Sequence, residues 1–158
     1  MKNKIFIIEK EIATINSIST LVTALNFERI VFYNYSARIK SYALNEIAAI
    51  FLNIEIPMIS VEKVVDEFYN NQNQRVPIFY LYKRTNSKEY DTAMRLKHTA
   101  ELRKPFQLED LYLLMDKYLN LDDLPVEQLA IQDKTQEFRR FYEESRSWLD
   151  KYKELIGS

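Results

Sequence analysis

The sequence predicts an α/β fold, a five-stranded parallel sheet with helices wound on both faces, followed by a C-terminal helical extension. Three observations predict it. Short apolar runs alternate five times with segments whose apolar residues recur at helical spacing. The run Ala48 to Leu52 is apolar without interruption, as a strand buried on both faces must be. A length of 158 residues suffices for one well-buried core but not for two ordinary domains. The chain therefore divides into a body over 1–119 and an appendage over 120–158.

Lys4 to Ile8 reads as a buried strand, and Ile12, Ile15, Ile18, Val22 and Leu25 follow at helical spacing, although the Ser and Thr between them are weak helix formers. Arg29 to Tyr33 is a second strand, and Ser36 is placed to cap a helix carrying Ile39, Tyr42 and Ala43. After the third strand, Ala48 to Leu52, Ser60 can cap a helix whose Val61, Val64, Val65 and Phe68 form one stripe; the polar NNQNQR loop ends it. Pro77 introduces Ile78 to Tyr82 as the fourth strand, and Ser87 precedes a helix with Tyr90, Ala93, Met94 and Lys97 on one side. Ala100 to Arg103 is a short fifth strand. Beyond Pro105, the residues Leu108, Leu111, Tyr112, Met115 and Leu119 mark a fifth helix. In an open doubly wound sheet the functional crevice lies outside the carboxyl ends of the strands, and chemistry is sought there.

The segment NLDDLP, Asn120 to Pro125, reads as a hinge. Beyond it Ile131, Thr135, Phe138, Tyr142, Ser145, Leu149, Tyr152 and Ile156 alternate in steps of four and three, the period of a coiled-coil seam, and Phe141, Trp148 and Leu155 widen the stripe. Such a face buries against the body, a twin helix, or a further part of the protein. Self-association through Ile131, Phe138, Tyr142, Leu149, Tyr152 and Ile156 is the expectation carried forward.

Composition narrows the function. A formal charge of −1 and scattered basic residues leave no electrostatic footprint for DNA or RNA. The absence of Cys excludes disulfides and thiolate chemistry, and no run is apolar enough for a signal core or a membrane span, so the cytoplasm is the expected location. One Gly in the chain, against an average near 7%, rules out the glycine-rich loops that cradle nucleotide phosphates.

Four segments carry a resemblance. KIFIIEKE, FLNIEIP, VPIFYLYK and RKPF are similar, in order and separation, to the first strand and acidic turn, the phosphoacceptor strand, the fourth strand and the cis-proline corner of response-regulator receiver domains. The likeness spans Lys4 to about Leu119 and implies the receiver/flavodoxin-like (βα)5 fold. In active members two acidic residues bind Mg²⁺ beside a phosphoacceptor aspartate, a Thr or Ser ends the fourth strand, and a Lys bonds the phosphoryl oxygen. By that resemblance Glu9 and Lys10 take the acidic-pair positions with Glu11 just beyond, Asn53 the acceptor position, Tyr82 the hydroxyl position and Glu101 the switch-aromatic position; Lys104 alone keeps its family identity. The implied site is the degenerate pocket of a pseudo-receiver: Glu9, Lys10, Glu11, Asn53, Tyr82 and Lys104.

A carboxamide forms no acyl phosphate under conditions where a carboxylate does, so Asn53 is not expected to accept a phosphoryl group. An ammonium near the acidic turn opposes Mg²⁺, and Lys10 is expected to pair with Glu9 or Glu11 and displace the metal. No metal and no cofactor are expected. Lys104 is expected in a structural ion pair with Glu9 or Glu11 rather than on an anion. Tyr82 is expected to block the pocket, with Thr85 an alternative hydroxyl if the register slips. His98, the only histidine, has no nearby partner in sequence and reads as a surface residue. Glu9 and Glu11 as paired acids of a hydrolase are disfavoured by the Lys10 between them.

The function expected is a phosphorylation-independent, non-enzymatic regulatory module that binds protein partners and dimerises through its tail. The resemblance implies a partner face at Met94, Glu101, Arg103, Lys104 and Tyr112. Two alternatives stand beside it: a flavodoxin-like enzyme binding a nucleotide or flavin phosphate, against which the missing glycines count, and a structural oligomerisation unit whose body is a spacer.

Overall fold

A computed structural model of the chain describes residues 2–35, 37–57, 60–71 and 74–121. The predicted seam from Ile131 to Ile156 lies outside the described residues.

Five strands, β1 (Lys4–Ile8), β2 (Glu28–Phe32), β3 (Ile47–Asn53), β4 (Ile78–Tyr82) and β5 (Ala100–Arg103), form one sheet in the order β2-β1-β3-β4-β5. Every pairing is parallel, as expected of strands joined by crossovers rather than hairpins. The side-chain alternation of the strands divides the core in two. Ile5, Ile7, Phe51, Phe79 and Leu81 pack on one face with Ile15, Ile18, Leu21 and Val22 of α1 (Ile12–Ala24) and Leu111 and Met115 of α4 (Leu108–Leu119). Phe6, Ile8, Ile50, Leu52, Ile78 and Tyr80 pack on the other with Val61 and Val64 of α2 (Val61–Val64), Val65 and Phe68 of the π-helical turn Val65–Tyr69 that continues it, and Ala93 of α3 (Lys88–Arg95). All seven residues of β3 are buried, and each large apolar side chain so buried contributes roughly 1.5–3 kcal/mol.

Ser60 Oγ accepts from the Lys63 N–H and Ser87 Oγ from the Tyr90 N–H, the caps the sequence places there. With the one Gly outside the described residues, asparagine takes the left-handed positions: Asn26 (φ 65°) turns α1 into β2, and Asn120 (φ 50°) ends α4. Leu121 just beyond is buried in the core, two residues past the predicted end of the body.

The helix predicted around Ile39 and Tyr42 does not form. The chain makes two 3-10 segments, Ala37–Ser41 and Leu44–Glu46, separated by an extended Ala43 (ψ 134°). Ile39 is buried and Tyr42 packs edge-on to Phe6. Two anchors fix this stretch on the sheet, but they do not make the repeated apolar face that sustains an α-helix.

Candidate functional site

The strand order reverses between β1 and β3, and the ends of these strands, with β4 and β5, open a crevice at the carboxyl edge of the sheet. Glu9, directly after β1, is fully buried. Its Oε1 accepts from the backbone N–H groups of Lys10 (2.8 Å) and Glu11 (3.0 Å) and from the Asn53 side-chain amide (2.8 Å). Its Oε2 accepts from Lys104 Nζ at 2.9 Å, and that ammonium is also buried, with 3% of its side chain exposed. Four donors therefore surround one carboxylate, and the charge pair is internally neutral. A buried pair is stable in this form only when its remaining lone pairs are bonded.

Asn53, the last residue of β3, joins this cluster to the next loop. Its Nδ2 donates to Glu9, and its Oδ1 accepts from the Glu55 N–H at 2.8 Å. The reverse amide orientation would set oxygen against carboxylate and N–H against N–H, so the network fixes the orientation. An amide can donate to Glu9 and accept from Glu55 at once; an ionised carboxylate here could only accept. Lys104 reaches Glu9 from the turn after β5, where the Lys104-Pro105 bond is cis, as the resemblance implies.

Around this cluster lies a cavity of about 350 Å³ whose lining includes Glu9, Lys10, Glu11, Asn53, Lys83 and Lys104. Here the ion pairs differ from the sequence expectation. Lys10 is exposed and makes no ion pair with Glu9 or Glu11 among the described residues. Glu11 instead pairs with Lys83 at 2.5 Å and accepts from Thr14 Oγ1 at 2.9 Å. Those two hydrogen bonds hold the Glu11 carboxyl below the usual carboxylate range, against a desolvation that raises it, and the same contact with Glu11 raises Lys83. Lys104 pairs with Glu9 at 2.9 Å and approaches Glu11 at 4.0 Å, as the sequence leads one to expect of it, whereas Lys10 turns outward after β1.

Tyr82 does not block the crevice. Tyr80 and Tyr82 share one face of β4, and the Tyr82 ring packs on Tyr90 of α3 at 5.1 Å. The residue that reaches the crevice is the first one past β4, Lys83. Thr85 is exposed and is not in the lining. Glu55 crosses from the loop after β3 and accepts from the backbone N–H groups of Lys83 (2.8 Å) and Arg84 (3.0 Å). Sequence reasoning missed both Lys83 and Glu55; a charged residue placed just past the carboxyl end of a strand is the signal that marks them.

The predicted partner face is divided. Glu101 and Arg103 are exposed and Met94 is half-buried, but Lys104 belongs to the crevice and Tyr112 is buried in the core at 6% exposure. Neither of these two is available to a partner on the surface described. His98 is not free on the surface: its ring stacks on Tyr80 at 4.1 Å, one nitrogen meets the Leu96 carbonyl and the other the Glu101 carboxylate, each at 2.8 Å.

The receiver fold implies a Mg²⁺ site at this crevice, and the donor set does not fit one. Mg²⁺ needs carboxylate or other oxygen ligands in near-octahedral array. Glu9 has its oxygens committed to four hydrogen donors, Asn53 presents an N–H to Glu9, and Glu11 is held by Lys83. Among the described residues no group of His, Cys, Asp and Glu is arranged to hold a metal ion, and no helix is long and apolar enough to cross a membrane.

No protein-family model and no curated protein matches the sequence. Solved structures do. The receiver domain of a sensor histidine kinase from Pseudomonas aeruginosa, determined with a magnesium ion coordinated in its active-site cleft, has a TM-score of 0.63 at 17% identity over 76% of this chain and 99% of its own. The Vibrio cholerae chemotaxis protein CheY4 has a TM-score of 0.61 at 17% identity over 75% of this chain and 100% of its own. A response-regulator receiver domain protein from Clostridium thermocellum has a TM-score of 0.60 at 19% identity over 74% of this chain and 94% of its own. At these identities the likeness establishes architecture: this chain has the fold of response-regulator receiver domains.

Proposed function

We propose that the protein is a signalling module of receiver shape that works by docking to protein partners, without accepting a phosphoryl group. The observation that carries this reading is the buried cluster of Glu9, Asn53 and Lys104. In it an amide stands at the crevice position where the resemblance places a phosphoacceptor, and the buried Lys104 ammonium is already neutralised. An amide there neither attacks phosphorus nor adds the negative charge a divalent cation would balance. Residues 1–119 form the receiver-like body in this reading, and 120–158 form a hinge and a helix that pairs with a second copy; Glu101, Arg103 and Met94 are the part of the expected partner face that the surface offers. The role is one of binding rather than catalysis.

Incubation with acetyl phosphate and Mg²⁺, followed by intact-mass analysis, tests the first part. The mass is expected to remain unchanged, and an added phosphoryl group retained on residue 53 overturns the reading. Light scattering of the full chain against a truncation after Leu121, which spares that buried residue, tests the second. The full chain is expected as a dimer and the truncation as a monomer; an unchanged oligomeric state rules out pairing through the tail.

A further inference from the structure

The loop after β4 presents two consecutive backbone N–H groups, of Lys83 and Arg84, to a single carboxylate. That carboxylate is Glu55, whose two oxygens take one N–H each, at 2.8 and 3.0 Å. Successive amides aimed at one point form a concavity that suits an oxyanion, independent of what supplies the charge. Here the anion is covalently part of the chain. Glu55 lines both the 350 Å³ crevice and a neighbouring cavity of about 330 Å³ that also borders Arg84 and Ser87. Its side chain is thus the partition between two spaces that open to solvent.

We infer that the Lys83–Arg84 amides form a seat for a small tetrahedral oxyanion, and that Glu55 is its built-in occupant and keeps external anions out. The charges around the seat support the ligand class. The crevice lining holds three carboxylates, Glu9, Glu11 and Glu55, against three ammonium groups, Lys10, Lys83 and Lys104. Removing Glu55 leaves this lining one positive charge in excess, while Arg84 and Glu89 of the neighbouring cavity offset each other, so the vacated seat favours an anion. An intramolecular carboxylate competes at an effective concentration of millimolar or above, which explains how a weak internal ligand excludes a free one. The inference does not rest on the chemistry of Asn53, since Glu55→Ala keeps the backbone N–H that Asn53 accepts.

The test is an amide-resolved NMR titration of the full chain with inorganic phosphate, using sodium chloride at matched ionic strength as control. In wild type, the Lys83 and Arg84 amides are expected to exchange with solvent about tenfold or more slowly than those of exposed Thr85 and Asn86, as bonds to a charged acceptor require, and to show no saturable shift. In Glu55→Ala they are expected to lose that protection and to shift saturably with phosphate, with affinity at least about tenfold above wild type. Glu55→Gln, which keeps the side-chain volume, is expected to give a smaller gain of the same kind. Three results overturn the inference: unprotected Lys83 and Arg84 amides in wild type, no gain of phosphate binding in either variant that folds, or shifts that chloride reproduces. The wild-type exchange measurement decides the matter even if neither variant folds. Because phosphate binding is non-covalent and read at Lys83 and Arg84, failure here is distinct from phosphorylation at residue 53.

Discussion

Asn53→Asp replaces the amide that donates to Glu9 with a second carboxylate in the same buried cluster. The donor now lies 2.8 Å from Glu9 Oε1; the new oxygen would face that atom with no proton between them. Two unit charges about 4 Å apart repel by roughly 4 kcal/mol at an effective dielectric near 20. Attraction between the new carboxylate and Lys104 offsets part of this, leaving a destabilisation of about 2–4 kcal/mol at neutral pH in the absence of divalent metal. For a body of this size that lowers Tm by roughly 10 °C. The sign with pH is fixed by like-charge coupling, which raises the new group's folded pKa above its unfolded value near 3.9. The variant therefore matches wild type most closely below that value, and the deficit grows as pH rises through the folded pKa. Because the new group restores a carboxylate pair, millimolar Mg²⁺ is expected to recover stability in the variant and not in wild type. Urea unfolding followed by circular dichroism, at pH 4 to 8 with EDTA or Mg²⁺, measures all of this. A variant within about 0.5 kcal/mol of wild type in EDTA at neutral pH would show that the crevice is solvated rather than closed, and the reasoning would fail.

Three further outcomes follow from the same structure. Lys104→Met leaves the buried Glu9 charge without its cation and is expected to cost about 3–5 kcal/mol, whereas adding Glu9→Gln recovers a substantial part, so a double-mutant cycle by urea unfolding should show strong coupling. Tyr80→Phe is expected to be neutral or to stabilise by up to about 1–3 kcal/mol, because the buried Tyr80 hydroxyl has no hydrogen-bond partner among the described residues; a loss above about 1 kcal/mol would reveal a partner. Tyr35 is pushed up to about 12, first by burial and then by its hydrogen bond to Glu67. Its folded pKa exceeds its unfolded value near 10, so its contribution is intact below pH 10 and lost as pH rises through the folded value, a loss that alkaline unfolding of Tyr35→Phe should lack.

The sheet was legible because its strands are continuous apolar runs. Ile78–Tyr82 and Ala100–Arg103 have the bounds the sequence predicts, and Ala48 to Leu52 is extended by only one residue at each end. The apolar stripe Val61, Val64, Val65 and Phe68 was legible too, yet its passage from an α-helical into a π-helical turn was not, since spacing of side chains does not record which carbonyl each N–H selects. The segment around Ile39 misled because its apolar residues suit a short helix as well as two 3-10 segments. At the crevice, sequence order brought out Glu9, Glu11, Asn53 and Lys104, but it could not say which cation takes Glu11 among the six charged side chains of the lining. Lys83, not Lys10, pairs with Glu11 through a position that only the folded strand ends define, whereas the pairing of Lys104 with an acidic-turn carboxylate was legible. Tyr82 was misplaced for a simpler reason: the pleat of β4 sends it with Tyr80 toward α3, and the crevice is met one residue later.

The central claim is that the Glu9, Asn53 and Lys104 cluster is complete without metal or phosphoryl group. It is tested most directly by titrating ¹⁵N-labelled wild type with millimolar Mg²⁺ and then beryllofluoride, while following the Asn53 side-chain amide and the backbone amides of Lys10, Glu11 and Lys104. These resonances are expected to stay in place throughout. A saturable shift at Asn53 and Lys104 would contradict the claim.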